Sequence, residues 1–254
     1  MKALLIAHNT FREATRDRVL LGVVVAGLVM LGLTQILTPL ALGEGPRLTV
    51  DLGLSGISML GLLVVVMVGT SLVGKEIERR TIYNLLSRPI ARPVYLIGKW
   101  IGLSGALWVM VGTLTVALWL LLCGSGLAPY GPAVLEAAFL AGLELTVVTA
   151  VAVLFSALST PVLSALYTLG LYCAGQWSYD LRGFAHQFPA GLGTTIGVVA
   201  NLVPNLPLFN VRSLAAACQL APPAQLGLAT LYAALYCACV LSLAAAAFES
   251  RDFK

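Results

Sequence analysis

Long apolar runs separated by short polar segments dominate the pattern along this chain. Each run covers about 18 to 24 residues, enough for a helix that rises about 1.5 Å per residue to cross about 30 Å of hydrocarbon. The pattern predicts spans over residues 19–39, 52–73, 100–123, 137–158, 162–179 and 224–247. We therefore expect an all-α membrane protein with six transmembrane helices in a single domain over residues 1–254.

The amino-terminal residues 1–18 follow a different pattern, in which apolar side chains recur every three or four positions. Leu4, Ala7, Phe11 and Ala14 share one face of the predicted helix, while charged side chains lie elsewhere. An amphipathic helix of this kind lies in the plane of the membrane interface. We expect an elbow helix that leads into the first span, the alternative being a basic leader without a fixed position.

The segment 180–223 is apolar but contains several prolines and glycines. Within it, 189–203 is about 15 residues long, which is short for a crossing. A crossing here would also move the basic carboxyl terminus to the other side of the membrane. We expect a re-entrant or interfacial region on the outer face, packed against protein rather than lipid, with a seventh span as the alternative.

Composition places the chain firmly among integral membrane proteins. Hydrophobic residues make up 59% of the sequence and charged residues 10%, against about 25% charged residues in a soluble domain. The mean hydropathy is +0.94. The net charge of +4 is small and gives no indication of a nucleic-acid partner.

Metal-binding patterns are absent from the sequence. The five cysteines form no C-x-x-C motif, and the two histidines, His8 and His186, lie far apart along the chain. Ligand sets for a transition metal need such side chains close together. We therefore expect no metal site and no cofactor in this chain.

Basic residues are distributed unevenly between the two sides of the predicted spans. Four lie in the amino terminus, six in the 75–99 loop and two in the carboxyl tail, whereas only Arg47, Arg182 and Arg212 fall on the opposite side. Short cytoplasmic loops hold the excess of Lys and Arg. Both termini are therefore expected in the cytoplasm, consistent with six crossings.

The stretch GTSLVGKE, residues 69–76, has the glycine and lysine spacing of a phosphate-binding loop. In such a loop the residue after the lysine is Ser or Thr, whose hydroxyl coordinates Mg²⁺, but here it is Glu76. The apolar run before it is also too long for the strand that should precede the loop. Lys75 is better interpreted as the point where the second span leaves the membrane.

The loop that follows, KEIERRTIYNLLSRPIARPVYLIGKW, contains a short helical stretch with Ile82, Leu85 and Leu86 on one side. A helix ends before Pro89, because the residue before proline avoids the helical region. The arginines around this apolar group could dock into a groove on another protein. They could equally lie on anionic headgroups as topology determinants.

Glu144 lies about two turns into the fourth predicted span, where an ionisable group costs roughly 2.5 to 3.5 kcal/mol or more. It must be protonated, paired or facing a cavity, so structural hydrogen bonding and a substrate or proton role both remain open. Polar residues also recur along the fifth span and could line a translocation path or bond neighbouring helices. The candidate path residues are Ser164, Tyr167, Thr168, Tyr172 and Gln176, together with Glu144.

Three stretches resemble type-2 ABC exporter permeases, particularly the branch containing the permease for maturation of nitrous oxide reductase, a copper enzyme. They are the loop VGKEIERRTIYNLLSRPIARPVYLIGKW, the entry helix AHNTFREATRDRVL and the segment NLVPNLPLFNVR. The resemblance implies that 78–89 is a coupling helix that binds an ATPase subunit. The docking residues implied are Glu78, Arg79, Arg80, Ile82, Tyr83, Leu85, Leu86, Arg88 and Pro89.

The same resemblance implies a transmembrane subunit rather than an enzyme. Two permease copies would pair with two separate ATPase subunits that bind ATP and Mg²⁺, in a prokaryotic cytoplasmic membrane. The complex would export a substrate or drive a periplasmic partner, with a periplasmic accessory protein as a further candidate. The alternative is a proton-coupled secondary transporter or a membrane-embedded enzyme that uses Glu144.

Overall fold

The computed structural model describes residues 2–38, 43–71, 92–185 and 203–249. Within these ranges the regular structure is helical, without β-strands. The α-helices are α1 (Lys2–Arg16), α2 (Arg18–Leu37), α3 (Gly45–Val64), α4 (Arg92–Gly124), α5 (Gly131–Leu158), α6 (Pro161–Gln176), α7 (Ser178–Ala185), α8 (Arg212–Ala216) and α9 (Pro223–Glu249). A π-helical turn, Val65–Gly69, extends α3, and 3₁₀ turns cover Ala128–Tyr130 and Leu206–Phe209.

Five candidate membrane spans confirm the all-α membrane class. They are Arg18–Leu37, Gly45–Gly69, Pro93–Gly124, Ala128–Leu158 and Pro223–Phe248. The fifth predicted span corresponds to α6, whose 16 residues extend about 24 Å and fall short of a hydrocarbon core of about 30 Å. The six-span topology therefore stays a prediction.

Several helices begin earlier than the apolar runs indicated. The second span starts at Gly45 rather than residue 52, because Pro46 is well suited to the first turn of a helix. The hydroxyls of Thr38 and Thr49 lie 2.8 Å apart and join the ends of α2 and α3. Polar residues at the end of a membrane helix can lie outside the hydrocarbon core. A span predicted from an apolar run therefore leaves them out.

The helix α5 forms the centre of the bundle and packs against α3, α4, α6 and α9. In its most apolar window 72% of the residues are buried inside the protein, compared with 28% in α2. A helix that is hydrophobic on all sides is expected in such a central position. The outer helices, in contrast, expose large apolar side chains, as a lipid environment allows.

Polar contacts within the apolar interior fix how α4 lies against α5. Trp108 donates from Nε1 to the hydroxyl of Thr146 at 3.1 Å, and Trp100 donates to the carbonyl of the same residue at 3.2 Å. Gly142 leaves room for the Trp108 ring, since a Cβ there would lie 2.8 Å from it. The two tryptophans thus set the register of these helices.

Residues 203–222, which we call the cap, cover one end of the bundle. This segment packs against α3, α5, α6 and α9, and Leu206 and Phe209 are fully buried. Cys218 lies 3.5 Å from the carbonyl of Pro129, which places the cap at the end that holds the turn between α4 and α5. The helix α1 packs on the first turns of α4, and so lies at the opposite end.

Candidate functional site

The predicted docking residues of the coupling helix, 78–89, lie outside the described residues, as does 186–202 of the predicted re-entrant region. On one side of the loop, the described chain ends shortly after the π-helical turn at Gly69. On the other side it resumes with α4 at Arg92. The helices on either side of the loop are α3, which is extended by this turn, and α4.

The contact between α1 and the first turns of α4, which we call the joint, depends on three glycines. Gly98, Gly102 and Gly105 succeed one another on the α4 surface that faces α1. A Cβ on Gly102 would lie 2.5 Å from the carbonyl oxygen of Ala7 and 2.7 Å from Cβ of Thr10. Small residues at this spacing let two helices approach closely.

The face of α1 that contacts α4 agrees in part with the predicted apolar face. Ala7 and Ala14 are buried, together with Thr10, whereas Leu4 is 69% exposed. The helix α1 therefore presents its small residues to α4 and leaves larger apolar side chains such as Leu5 on its exterior. Its position is set by protein packing, in addition to any contact with lipid.

A charged pair lies at the edge of the joint. Lys99 is only 4% exposed; its ammonium lies 3.8 Å from the carboxylate of Glu13 and 5.8 Å from the centre of the Tyr95 ring. A cation over an aromatic ring is attracted by the ring electrons. These contacts satisfy a lysine that is otherwise surrounded by helices.

A polar cluster lies on the opposite half of the bundle, around Glu144 of α5. Glu144 is 2% exposed and accepts a hydrogen bond of 2.6 Å from Nε2 of Gln176 on α6. The hydroxyl of Tyr172, one turn earlier on α6, also bonds the carboxylate and Gln176. A carboxyl buried in a membrane bundle is thus surrounded by hydrogen-bonding partners.

Arg212 at the start of α8 adds a positive charge to this cluster. Its guanidinium acts electrostatically on Glu144 and on Tyr172, and its NH1 donates to the hydroxyl of Ser55 on α3 at 3.3 Å. The sequence alone does not indicate a basic partner for Glu144, because Arg212 lies in the segment 180–223, which is predicted to be a re-entrant or interfacial region on the outer face. Only the folding of the cap onto the spans brings the charge of Arg212 near enough to act on Glu144.

The polar residues of α6 divide between the interior and the exterior of the protein. Ser164 and Thr168 are fully buried; Ser164 donates to the carbonyl of Phe155 at 2.7 Å, and Thr168 donates to that of Ser164 at 2.7 Å. Tyr167 is 48% exposed and packs its ring against Phe155. Within one copy of the chain, the predicted path residues thus differ in exposure, and their role as a path stays a prediction.

An apolar groove of about 830 Å³ separates α4 from α9, with α5 at its base. Trp100 and Ile97 line one wall, and small residues such as Ala234 and Ala238 line the other. In the part of the chain that the structure describes, no three His, Cys, Asp or Glu side chains are grouped so as to hold a metal ion.

These features define an α-helical membrane protein with several candidate spans, in which α1 packs on α4, the helix that begins after residues 72–91. The family model described as ABC-2 family transporter protein matches residues 4–253, and the chain belongs to this family. Membership makes it a transmembrane permease subunit of an ABC transporter rather than an enzyme, and implies that it works in the membrane with an ABC ATPase. Comparison with curated proteins gives no match.

Proposed function

We propose that this chain is the permease subunit of an exporter that is driven by a separate ATPase subunit bound at 78–89. The observation that carries the proposal is the family match over residues 4–253. The joint supports it, because the helix that continues from the docking segment is held against α1 without space for even a Cβ at Gly102. A displacement of the docking segment would then move α1 and α4 as one body.

In this proposal Ile82, Leu85 and Leu86 insert into a groove of the ATPase, and the arginines pair with acidic groups on its rim. Two copies of the permease and two ATPase subunits form the complex, with ATP and Mg²⁺ bound only by the ATPase. Both termini are cytoplasmic, α6 completes six crossings, and the membrane is the prokaryotic cytoplasmic membrane. The likeness of the loop to the nitrous oxide reductase branch supports a periplasmic accessory protein as a further partner.

The test is co-purification of the ATPase subunit with Leu85→Asp. A carboxylate in the apolar contact should abolish ATPase binding while the chain still inserts into the membrane, because burying an unpaired charge is strongly unfavourable. Leu4→Asp is the matched control, since Leu4 is exposed on α1 and outside the docking segment. Full retention of the ATPase by Leu85→Asp would overturn the docking role.

A further inference from the structure

We propose that the apolar groove between α4 and α9 holds one acyl chain of an anionic phospholipid, which comes from the membrane leaflet on the α1 side of the bundle. The groove has a volume of about 830 Å³, and exposed lining residues such as Ala234 and Ala238 open it to the outside of the bundle. In a membrane-spanning bundle that outside is hydrocarbon. This inference goes beyond the proposed function and does not need the ATPase partner.

The first argument concerns the polar side chains that line the groove, because each of them already has a partner within the protein. Trp100 and Cys237 donate to the carbonyl of Thr146 at 3.2 and 3.8 Å. The hydroxyl of Thr146 donates to a carbonyl of its own helix at 2.8 Å. Those of Thr230 and Ser242 do the same at 2.8 and 2.7 Å. Among the described residues that line the groove, no side-chain donor is left for a polar ligand, so the fitting occupant is apolar.

The second argument concerns the length of the groove. On α9 its lining extends from Thr230 to Ala246, a distance of about 24 Å at about 1.5 Å per residue. One leaflet occupies about 15 Å, half of a hydrocarbon core of about 30 Å. A whole acyl chain therefore fits along the groove. It would supply the dispersion contacts that the lining lacks on its open side.

The third argument concerns the direction in which the chain would lie. The helix α9 begins next to the cap, so Ala246 lies toward the α1 end of the bundle. Pro93, in the first turn of α4, lines the groove at the same end. A lipid from the leaflet on this side would place its headgroup near Pro93 and its acyl chain along α9.

The fourth argument concerns charge, which differs between the two ends of the groove. Residues 92–99 of α4 contain Arg92 and Lys99 and no acidic residue, whereas 113–135 and 213–248, toward the cap, contain no charged residue. The tail 249–254 has two acidic and two basic side chains and adds no net charge. Lys99 is paired with Glu13, so Arg92 carries this argument. A basic residue near the membrane surface favours anionic lipids by about 1 kcal/mol.

The test uses photoreactive phospholipids in nanodiscs that contain the permease alone. Two probes carry the same acyl chain with a diazirine at its middle, one on anionic phosphatidylglycerol and the other on zwitterionic phosphatidylcholine. After irradiation, mass spectrometry measures the labelling of residues 97–100 on the α4 wall. The reference is Val25 and Val29 on α2, which are exposed and apolar and do not line the groove. Because no ATPase is present, failure of the proposed function does not alter this readout.

In the parent chain, the groove should be labelled more strongly than the α2 reference. The anionic probe should be preferred by about fivefold in the groove, the factor that corresponds to about 1 kcal/mol, whereas both probes should label α2 equally. Arg92→Gln should remove the preference for the anionic probe and leave labelling by the zwitterionic probe unchanged.

Ala238→Phe should fill the groove and lower the labelling of 97–100 by both probes to the level of the α2 reference. Cys239→Phe is the matched control, since this neighbouring residue is also exposed but does not line the groove, and its labelling should equal that of the parent. Ala234→Phe, about one turn away on the same wall, should repeat the effect of Ala238→Phe. Both filled positions are exposed, so the larger side chain has space.

Labelling of the groove no stronger than that of α2 would overturn the proposal, as would unchanged labelling in both filling variants. Equal labelling of the groove by the two probes in the parent would overturn the choice of an anionic lipid. Protection of 97–100 from both probes would indicate that protein, such as a second copy of the chain, covers the groove, and would also contradict the proposal.

Discussion

The two ends of the bundle are held together by different physical means. At the joint, α1 and α4 meet through glycine and small side chains, and the contact depends on shape. At the cap, an irregular segment is attached through side chains such as Glu136, Tyr232 and Gln225, which bond its backbone groups. The joint brings two helix backbones into close contact, whereas the cap combines the buried side chains of Leu206 and Phe209 with hydrogen bonds to its backbone.

This difference suits the two ends to different work. A close-packed contact transmits a displacement, because protein interiors are dense and deform little. A hydrogen-bonded segment can instead open locally, with a free energy smaller than that of global unfolding. We therefore expect the joint to move as a unit and the cap to open and close.

Gly102→Leu should have the largest effect, because the added side chain would collide with the backbone of α1 at Ala7. Overpacking typically costs about 1–3 kcal/mol, and here we expect the upper part of that range or separation of α1 from α4. Hydrogen exchange of the α1 amides should accelerate strongly. Gly112→Leu is the control on the same helix, where no atom lies within 4 Å of the position that a Cβ would take. Equal hydrogen-exchange rates of the α1 amides in the two variants would show that close packing at Gly102 does not hold α1 against α4.

Glu144→Ala should have the next largest effect and should exceed that of Glu144→Gln. Alanine leaves the amide of Gln176 without its acceptor, and an unsatisfied buried group costs about 1–3 kcal/mol. Glutamine retains an oxygen that can accept. Thermal unfolding in nanodiscs, followed by tryptophan fluorescence, should rank parent, glutamine and alanine in that order, and the reverse ranking would show that the carboxylate destabilises the fold.

Glu13→Gln should have the smallest effect. The Glu13 side chain is 63% exposed, so its pair with Lys99 is screened and should contribute less than about 0.5 kcal/mol. The melting temperature should barely differ from that of the parent, at low and at high salt. A loss as large as that of Glu144→Ala would mean that the joint, too, depends on charge, and the comparison between the two ends would fail.

Much of the fold could be predicted from the sequence, since apolar runs of this length have few alternatives to membrane helices. The central position of α5 was not predicted, because a buried span and a lipid-facing span are both apolar. The beginning of α3 was missed for a related reason, as its first turns contain polar residues. Such turns have helical geometry without the hydropathy of a span.

The candidate sites were predicted less completely. Glu144 and its neighbours on α6 stood out because polar groups are costly within spans. Arg212 was not connected with them, since a contact between distant segments leaves no periodic signal. The glycines of the joint did carry a signal, the G-x-x-x-G spacing of Gly98 and Gly102, but without a known partner helix this spacing does not reveal what packs there.

The most direct test of the account compares two distances in the permease bound to its ATPase, before and after ATP binding. One pair of spin labels reports on the joint, at the exposed positions Leu5 and Ile101, and the other reports on the cap and α6, at Ser213 and Leu169. The account predicts that the first distance stays constant while the second lengthens by several Å. A change across the joint with an unchanged distance at the cap would contradict it.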